Sequence, residues 1–544
     1  MTAEEELASG RVLRLQATGF PIRNLSLALL TGGLLTLAFP GWEISILAWV
    51  ALAPLLLAAA RERSGLRSFG LGLVGGNLFF YASSWWLTYS PINYGGFSPW
   101  LAYALLLGPT LVCGAFVGMF ALAVHVLVKR YGPIGMLASP VLWVATEWLR
   151  LQTTGIGWNF IGYSQSFQPA LIQSASVGGV YVVSFLLALT SAALAYCAIA
   201  PSRGAAWRAL AGTLVVLVGN IAYGAWVLWE TQPAREGVPV VALQPNLPVS
   251  LMDADGETIF RESFVRLGRM GVEESARENA PPLPAPAVFV WPEIPVAFVY
   301  DDDPELQAFF AAETRRRGDY LLVNAVGLAG DGHTNSAMLI GPNGSRIGQY
   351  DKIRLLPFGE FVPFRRAIPF IDRVPALLHE FTPGTEPRVL AAAGAELGVS
   401  ICFESSFPDV SRAERRAGAT CFVNITNDAW FGPTPEPRQH LAHAVMRSVE
   451  NRTEQVRVTN AGLSARIDAA GRLLDVTELF AEASRRWVLP TNAAQLSLYS
   501  RFGDWFPVSC AIASLVLIVL PLARRRKAML KDPHRAPAAR PEEE

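Results

Sequence analysis

The sequence predicts an α/β domain inserted in a polytopic all-α membrane domain of about eight transmembrane helices. Three observations predict this class. Apolar residues make up 51% of the 544 residues, charged residues only 17%, and the mean hydropathy is +0.31, which is unlike a soluble protein. The apolar residues are concentrated between about residues 25 and 228. The stretch from about 230 to 503 instead alternates strand-like and helix-like segments.

Eight apolar segments approach or exceed the roughly 20 residues that cross a bilayer. They are Leu25–Phe39, Ile44–Ala60, Phe69–Leu87, Trp100–Val128, Pro133–Leu149, Ser174–Ala200, Trp207–Leu228 and Trp505–Leu522. Tryptophans near the segment ends suggest an aromatic belt at the membrane surfaces. They are Trp85, Trp86, Trp100, Trp148, Trp158, Trp207 and Trp505.

Basic residues in alternate loops predict the orientation, because such loops stay in the cytoplasm. These residues are Arg61, Arg63, Arg67, Lys129, Arg130, Arg203, Arg208, Arg524, Arg525, Arg526 and Lys527. Arg150 is the main exception. Both termini are therefore predicted to be cytoplasmic, and the long domain to lie on the outer face. More helices and no clear cleavage site follow Leu25–Phe39, which argues against a signal peptide.

The predicted division of the chain follows these segments. It comprises a cytoplasmic N-terminal segment at 1–24, helices one to seven at 25–229, an outer domain at 230–503, an eighth helix at 504–523 and a basic tail at 524–544. The tail is rich in Pro and Ala beyond its basic start, and we expect it to be disordered.

Composition also limits the class of function. The net charge of zero gives no argument for a nucleic-acid partner. Eight spans suggest a transporter, but intramembrane charge is scarce and the halves show no internal repeat. Glu147 and Arg150 lie near a segment end, where a charge is tolerated. The membrane part is therefore interpreted as a platform or a lipid-access site.

Strand and helix patterns alternate through the outer domain, which predicts a layered α/β fold of about 260 residues. The predicted strands are Pro239–Gln244, Ala287–Trp291, Tyr320–Val326, Asn335–Ile340, Gln349–Leu355, Leu397–Phe403, Ala419–Ile425, Gln455–Thr459, Ser464–Asp468 and Trp487–Leu489. The predicted helices are Glu257–Glu278, Pro304–Arg317, Asp409–Arg416 and Arg438–Glu454.

Cys402 ends an apolar, β-branched run that begins at Leu397, and Glu404 follows two residues later. A cysteine at the end of a buried strand is held rigidly and can still meet a substrate, as a nucleophile must. The stretch taken alone is equally compatible with an ordinary buried thiol, because free cysteine is among the most buried residue types.

Glu293 and Lys352 also stand at predicted strand ends. A carboxylate can take the proton of a thiol, and a lysine can favour thiolate and stabilise an oxyanion on an attacked acyl carbon. Each has a simpler alternative. Glu293 follows a proline and fits a solvated turn, and Lys352 lies beside Asp351 and fits a surface ion pair.

The order of four motifs carries a family resemblance. Glu293 lies in VWPEIP, Lys352 in YDKIRLLPFGEFVPF and Cys402 in GVSICFES, and NDAWFG follows. This order resembles the Glu-Lys-Cys triad of the nitrilase (carbon–nitrogen hydrolase) superfamily. QPNLP, the motif DKxxLxPFGExVPF, ICFE and NDAWFG, set between seven helices and one, resemble the apolipoprotein N-acyltransferase family over nearly the whole chain. The resemblance implies an αββα nitrilase-like sandwich on an eight-helix membrane domain.

The resemblance also implies a ping-pong acyl transfer without cofactor or metal. Cys402 would attack the sn-1 acyl ester of a phospholipid, giving a thioester. The α-amine of an S-diacylglyceryl cysteine at a lipoprotein N-terminus would then take the acyl chain. Glu293 would be base and then acid, while Lys352 and the backbone N–H of Phe403 would hold the oxyanion. The implied location is the bacterial cytoplasmic (inner) membrane, with the catalytic domain on the periplasmic or outer face.

Two further carboxylates, Glu360 and Glu404, match family positions near the site with orienting or auxiliary acid/base roles. The chain departs from the family pattern twice. Phe403 stands where the family often has Tyr, so no phenolic hydroxyl is available there. The family often has Trp shortly after the QxNxP motif, where this chain has Ser250–Asp253, so a stacking role is in doubt.

The stretch Leu355–Pro387 is too long and too apolar for a plain connector. We hypothesise that part of it dips toward the bilayer and gates lipid access, with Phe358, Phe361 and Phe364 as the candidate residues. The alternative is that these side chains pack over the outer domain.

Several other residues have competing interpretations. Cys421 fits an inert buried thiol better than a disulfide with Cys402, because its strand is apolar. Asn427 and Asp428 either shape the pocket or cap a turn. His440 and His443 are three residues apart on a predicted helix, but no third ligand is evident in the sequence, so no metal is predicted.

Two other functions stay open on the sequence. One is a membrane-tethered amidase of the same superfamily, in which water resolves the acyl-enzyme. The other is a receptor or transporter whose outer domain only binds ligand. The eight helices and the apolar loop favour an acyl-chain donor, because a small soluble amide needs neither. The partners that the resemblance implies are a phospholipid acyl donor, a diacylglyceryl lipoprotein acceptor and the lipid bilayer.

Overall fold

The computed structural model describes residues 22–249, 256–276, 286–293, 298–330, 332–363, 365 and 380–531, with backbone alone at 256–261 and 520–531. Phe364, Ser250–Asp253 and most of the predicted access loop lie outside the described residues.

An α-helix lies within or across each of the eight predicted apolar segments. The helices of the membrane part are α1 (Ile22–Ala38), α2 (Ala53–Arg61), α3 (Gly65–Ser83), α4 (Pro99–Tyr131), α5 (Ser139–Thr154), α6 (Val180–Cys197) and α7 (Arg203–Glu230). The outer domain contributes α8 (Gly256–Ser275), α9 (Pro304–Arg317), α10 (Pro408–Arg416) and α11 (Glu436–Asn451), and α12 (Trp505–Lys531) follows it. Short turns of helix between these elements are not numbered.

Three stretches of the described chain are long and apolar enough to cross a membrane: Pro99–Thr154, Val180–Cys197 and Arg203–Glu230. Shorter apolar helical stretches occupy Ile22–Ala38, Ser45–Arg61 and Trp505–Val519. The fold therefore contains an apolar helical region of the kind predicted, while the count of eight spans and the domain boundaries stay predictions.

Two predicted helices are broken in the structure. The segment Ile44–Ala60 contains a 3-10 turn at Ser45–Trp49 and then only the nine residues of α2, which begins with Pro54 in its first turn. The segment Ser174–Ala200 forms a continuous helix only from Val180, because Gly179 adopts a positive φ of 77° that interrupts the helix.

The described residues of the outer domain form twelve strands. They are β1 (Val238–Gln244), β2 (Val288–Val290), β3 (Tyr320–Ala329), β4 (Gly332–Ile340), β5 (Arg346–Asp351), β6 (Val389–Ala392), β7 (Ala395–Ile401), β8 (Cys421–Thr426), β9 (Gln455–Thr459), β10 (Ala465–Ile467), β11 (Leu473–Val476) and β12 (Ala483–Leu489). β6 and β11 were not predicted. β5 ends before Lys352, short of the predicted Leu355.

The strands form two mixed six-stranded sheets. The first has the order β12-β1-β2-β3-β4-β5 and the second β11-β10-β9-β8-β7-β6. β1, β2 and β3 are parallel neighbours in the first sheet, and β7, β8 and β9 are parallel neighbours in the second. Carboxyl ends of parallel strands meet at one edge of a sheet, where chemistry is commonly placed.

The two sheets pack face to face. Val240 and Leu322 of the first sheet share a buried apolar core with Val399 and Val423 of the second. Helices α8 (Gly256–Ser275) and α9 (Pro304–Arg317) cover the outer face of the first sheet. Helices α10 (Pro408–Arg416) and α11 (Glu436–Asn451) belong with the second sheet. The predicted αββα nitrilase-like sandwich is confirmed.

Helix α11 connects the sandwich to the membrane helices. Leu441, Val445 and Val449 join the same apolar cluster as Phe160 and Tyr181 of the membrane part. Fifteen of the sixteen residues of α11 are buried, including His440, Arg447 and Glu450, and Arg438 is the exception. The second sheet therefore faces the membrane domain across this helix.

Two of the tryptophans that were predicted to lie at the membrane surfaces are buried inside the protein instead. Trp100 and Trp207 are 89% and 70% exposed, as a residue at a membrane surface can be. Trp86 and Trp158 are buried instead, and both donate to the side-chain oxygen of Gln439 on α11. The belt interpretation is wrong for these two residues, which belong to the contact between the two parts of the chain.

Candidate active site

Three strand ends place the predicted triad. Glu293 follows β2, Lys352 comes directly after β5, and Cys402 comes directly after β7. The backbone N–H of Lys352 donates to the carbonyl of Asn335 on β4 at 2.8 Å, which fixes the point where the side chain leaves the sheet. The triad thus joins residues of both sheets at one end of the sandwich.

Lys352 is 1% exposed and lies between two carboxylates. Its Nζ is 2.7 Å from Oε1 of Glu360 and 3.6 Å from Oε1 of Glu293. Burial alone would lower the pKa of Lys352, but the charges of Glu360 and Glu293 raise it above its ordinary value. Lys352 is therefore a fixed positive charge at neutral pH, not a surface ion pair.

Asn335 links the two carboxylates and was missed in the sequence. Its Nδ2 donates to Oε1 of Glu293 at 3.0 Å and to Oε1 of Glu360 at 2.6 Å. Its own side-chain oxygen accepts from Asn324 at 2.7 Å. Only a partial signal was present, because Asn324 interrupts the otherwise apolar β3, whereas Asn335 lies in the polar run His333–Ser336 at the start of β4.

Cys402 is 7% exposed and adopts a positive φ of 52°, which is strained for a residue with a Cβ. Burial raises the pKa of the Cys402 thiol well above its ordinary value, and the charge of Glu293 raises it further. Lys352 and a hydrogen bond with Thr426 lower that pKa, but by less. The resting nucleophile is a neutral thiol, so attack requires a base.

Glu404 ties the Lys352 loop to the nucleophile strand. Its Oε1 accepts from the backbone N–H of Ile353 at 2.7 Å and of Arg354 at 3.0 Å, and its Oε2 accepts from Ile401 at 2.8 Å. The hydroxyl of Tyr350 is 2.9 Å from both oxygens. Burial raises the pKa of Glu404 to about 7, although the donated backbone hydrogen bonds lower it.

Glu360 has a similar set of partners. Its Oε2 accepts a hydrogen bond from the backbone N–H of Leu356 at 2.6 Å. Its Oε1 accepts hydrogen bonds from Nζ of Lys352 and Nδ2 of Asn335. Glu360 and Glu404 are thus both engaged by donors on the described chain. This arrangement favours orienting roles over proton transfer for the two carboxylates.

Phe403 rests on the membrane part of the chain. Its ring stacks on Trp158 with centroids 6.2 Å apart and an interplanar angle of 15°, and it meets Phe407 edge-on at 5.0 Å. The carbonyl of Trp158 accepts from Nη1 of Arg150 at 2.9 Å. The residue after the nucleophile is therefore supported from the helical region.

The candidate access residues are only partly described. Phe358 is 55% exposed and has a positive φ of 63°. Phe361 is half-buried, and Phe364 lies outside the described residues. The gating hypothesis stays a prediction.

A buried polar cluster lies behind the nucleophile. Asp428, Glu436 and His440 are each 1% exposed and present ligand-type atoms within 4.8 Å of one another. The sequence suggested that no third ligand accompanies His440 and His443, and this expectation is wrong. Glu436 lies one turn earlier than His440 on α11, and Asp428 approaches from another loop. Arg457 Nη2 lies 2.7 Å from Asp428 and 2.9 Å from His440, so a cationic side chain already occupies the cluster.

The five cysteines, all within the described part of the chain, are free thiols. Cys421 is fully buried, and burial raises its pKa to about 12. The thiol interpretation of Cys421 therefore matches the structure, in which the residue points into the core between the sheets.

Two family models match the chain. The model described as the apolipoprotein N-acyltransferase N-terminal domain matches residues 31–193, and the carbon-nitrogen hydrolase model matches residues 257–486. They divide the chain in the same way as the fold does, with one model on the helical region and one on the sandwich.

Similar proteins match over most of the chain. Apolipoprotein N-acyltransferase of Geobacter metallireducens is 34% identical, covering 94% of this chain and 97% of the relative. That of Methylococcus capsulatus is 33% identical, covering 93% and 97%. Among solved structures, an amidase from Nesterenkonia sp. is 18% identical with a TM-score of 0.35, covering 48% of this chain and 94% of that one.

Proposed function

Because the chain belongs to the apolipoprotein N-acyltransferase family, we propose that it moves a fatty acyl chain from a phospholipid to a lipoprotein. The acceptor is the α-amine of an N-terminal S-diacylglyceryl cysteine, and the acyl chain travels as a thioester on Cys402. The observation that carries the proposal is the triad itself. A buried thiol, a charged lysine and a carboxylate stand at three strand ends.

The first step consumes the phospholipid. Glu293 takes the thiol proton as Sγ of Cys402 attacks the ester carbonyl carbon, and the carbonyl oxygen becomes an oxyanion. Lys352 and the Phe403 N–H stabilise that charge. The intermediate collapses by breaking the acyl C–O bond, and Glu293 returns the proton to the leaving alkoxide. The products are the acyl thioester and a lysophospholipid.

The second step consumes the lipoprotein. The neutral α-amine attacks the thioester carbonyl, Glu293 takes a proton from the amine nitrogen, and the same two donors hold the oxyanion. The C–S bond breaks and the sulfur recovers its proton from Glu293. The products are an amide and the free thiol. One carboxylate therefore serves as base and then acid in each step.

The helical region supports a lipid donor. Leu214 and Val215 on α7 are 61% and 72% exposed, and Leu105 on α4 is 55% exposed. Side chains of this kind are stable at the surface when that surface faces acyl chains. The nucleophile lies next to this region through Phe403 and Trp158. We place the chain in the bacterial cytoplasmic (inner) membrane with the sandwich on its outer face, following the loop charges.

Intact-protein mass spectrometry tests the donor step. The full chain is incubated with phospholipid and no acceptor, and Cys402→Ser is the matched variant. The proposal predicts a fatty-acyl mass on the wild type that hydroxylamine removes, with no thioester on the variant. If no phospholipid acylates the wild type, but a small amide acylates Cys402 and releases ammonia, the result would support the amidase alternative instead.

A further inference from the structure

The backbone of the nucleophile has an unusual support. Cys402 holds a left-handed φ of 52°, a conformation that is strained for a residue with a Cβ. Its carbonyl oxygen lies 3.0 Å from Nε2 of His440, which is 1% exposed on α11. A carbonyl oxygen only accepts, so Nε2 carries the proton in this contact.

That contact sets the direction of a second group. In a trans peptide the C=O and the following N–H point in opposite directions across one plane. Holding the Cys402 carbonyl toward His440 therefore turns the Phe403 N–H away from His440. Phe403 lies in the first turn of the 3-10 helix Cys402–Ser406, where backbone N–H groups have no partner within the helix.

Side chains from three different parts of the fold surround Nδ1, the other ring nitrogen of His440. Nδ1 lies 3.0 Å from Asp428 Oδ1, 3.2 Å from Glu436 Oε1 and 2.9 Å from Arg457 Nη2. A neutral imidazole accepts from Arg457 at Nδ1, and a charged one donates there to a carboxylate. In either state Nε2 keeps its proton and continues to donate to the Cys402 carbonyl.

Aromatic groups close the cluster on the membrane side. The ring of Trp158 lies 5.6 Å from that of His440 and 4.5 Å from that of His443. Trp158 also covers Phe403. These contacts exclude water from the peptide that His440 holds, and a hydrogen bond in such surroundings fixes geometry more firmly than an exposed one.

We propose that His440 is a positioning residue, which locks the Cys402–Phe403 peptide so that the Phe403 N–H faces the oxyanion. The inference rests on the proposed thioester chemistry and adds to it a residue that touches neither substrate. Asp428, Glu436 and Arg457 hold the imidazole ring in place. A flipped peptide would present a carbonyl oxygen to the oxyanion and abolish one of its two donors.

Two substitutions of His440 separate its two nitrogens. In His440→Gln, the amide nitrogen is as many bonds from the backbone as Nε2 and can still donate to the Cys402 carbonyl. In His440→Asn, the amide matches Nδ1 and falls short of that carbonyl. His443→Asn is the matched control, because His443 is buried on the same helix and its Nδ1 has no hydrogen-bond partner among the residues that the structure describes.

The assay compares acylation with alkylation of Cys402. Single-turnover thioester formation from phospholipid needs the oxyanion donors, whereas attack on iodoacetamide displaces iodide and develops no oxyanion. Losing one oxyanion donor typically slows a reaction about 10²–10³-fold. We expect a loss of that size in acylation for His440→Asn, and changes within about tenfold for His440→Gln and about threefold for the control. Alkylation should stay within about threefold of the wild type throughout.

The acylation and alkylation rates of the His440 variants distinguish a positioning role from a purely structural one. Equal losses of acylation in the Gln and Asn variants would overturn the positioning role, as would a parallel loss of alkylation. An Asn variant that acylates at the wild-type rate would also overturn it. If the Asn variant does not fold, the Gln variant alone still refutes the inference by losing acylation about 100-fold with normal alkylation. A wild type without any thioester would instead refute the proposed function.

Discussion

Glu404 allows the sharpest separation between an orienting and an acid/base role. The change is Glu404→Gln, which keeps the shape and replaces one carboxylate oxygen with an amide nitrogen. Four groups donate to the wild-type carboxylate: the backbone N–H groups of Ile353, Arg354 and Ile401, and the hydroxyl of Tyr350. An amide nitrogen cannot accept from any of them.

The cost follows from that geometry. The least harmful placement puts the amide nitrogen at Oε2, where Tyr350 can turn its lone pair toward it and the Ile401 N–H loses its partner. An unpaired buried donor costs about 1–3 kcal/mol. The hydrogen bonds that remain lose their charge and about half their strength. A total near 3 kcal/mol is expected, which lowers Tm by about 10 °C for a domain of this size.

The assay measures Tm and single-turnover thioester formation on the same sample. We expect both to fall in Glu404→Gln, because the change loosens the loop of Lys352 against the strand of Cys402. Tyr350→Phe removes one donor only, and is expected to produce a smaller loss of both. Unchanged Tm with abolished acylation in Glu404→Gln would refute the orienting role and indicate proton transfer by Glu404.

Three further predictions concern the same site. Asn335→Ala removes the donor shared by the buried Glu360 and the partly buried Glu293, so we expect a loss of about 3 kcal/mol in stability and slower acylation, measured by melting and mass spectrometry; an unchanged Tm would contradict it. Burial raises the pKa of the Cys402 thiol well above its ordinary value, so the thiolate fraction, and with it the rate of alkylation, should increase through pH 7–9 without a plateau; a plateau within that range would contradict the raised pKa. Phe358→Ser should slow acylation from vesicles at unchanged Tm, because Phe358 is an exposed apolar side chain on the proposed access loop. The control Ile347→Ser, at a similarly exposed position on β5, should leave the rate of acylation unchanged. Equal effects of the two substitutions would reject the gate.

The strand-end positions of Glu293 and Cys402 were predictable because each follows a short apolar run, whereas Lys352 follows the polar stretch Gln349–Asp351 and was found through its motif. Strand ends are local features, and local sequence patterns specify them. Most strands and helices of the outer domain followed from the same alternation, whereas the sandwich of two sheets was implied only by the family resemblance. Strands β6 and β11, of four residues each, were missed because so short a run carries little periodicity.

The supporting residues were not predictable in the same way. Asn335 acts through two carboxylates that are 42 and 25 residues away along the chain. His440 and Arg457 meet Asp428 only because β8, β9 and α11 pack together. Trp158 looked like a membrane-surface residue, since its segment end suggested a belt. Tertiary packing against Phe403 decided its place instead.

Acyl transfer through Cys402 to an amine is tested most directly by following one labelled acyl chain. Wild-type protein is loaded from a phospholipid with an isotopically labelled sn-1 chain, freed of lipid, and mixed with a diacylated lipopeptide. We predict that the label leaves Cys402 and appears as an amide on the lipopeptide amine, while a variant peptide with a blocked amine leaves the thioester intact. Release of the label as free fatty acid at the same rate with either peptide would contradict the account and identify a hydrolase.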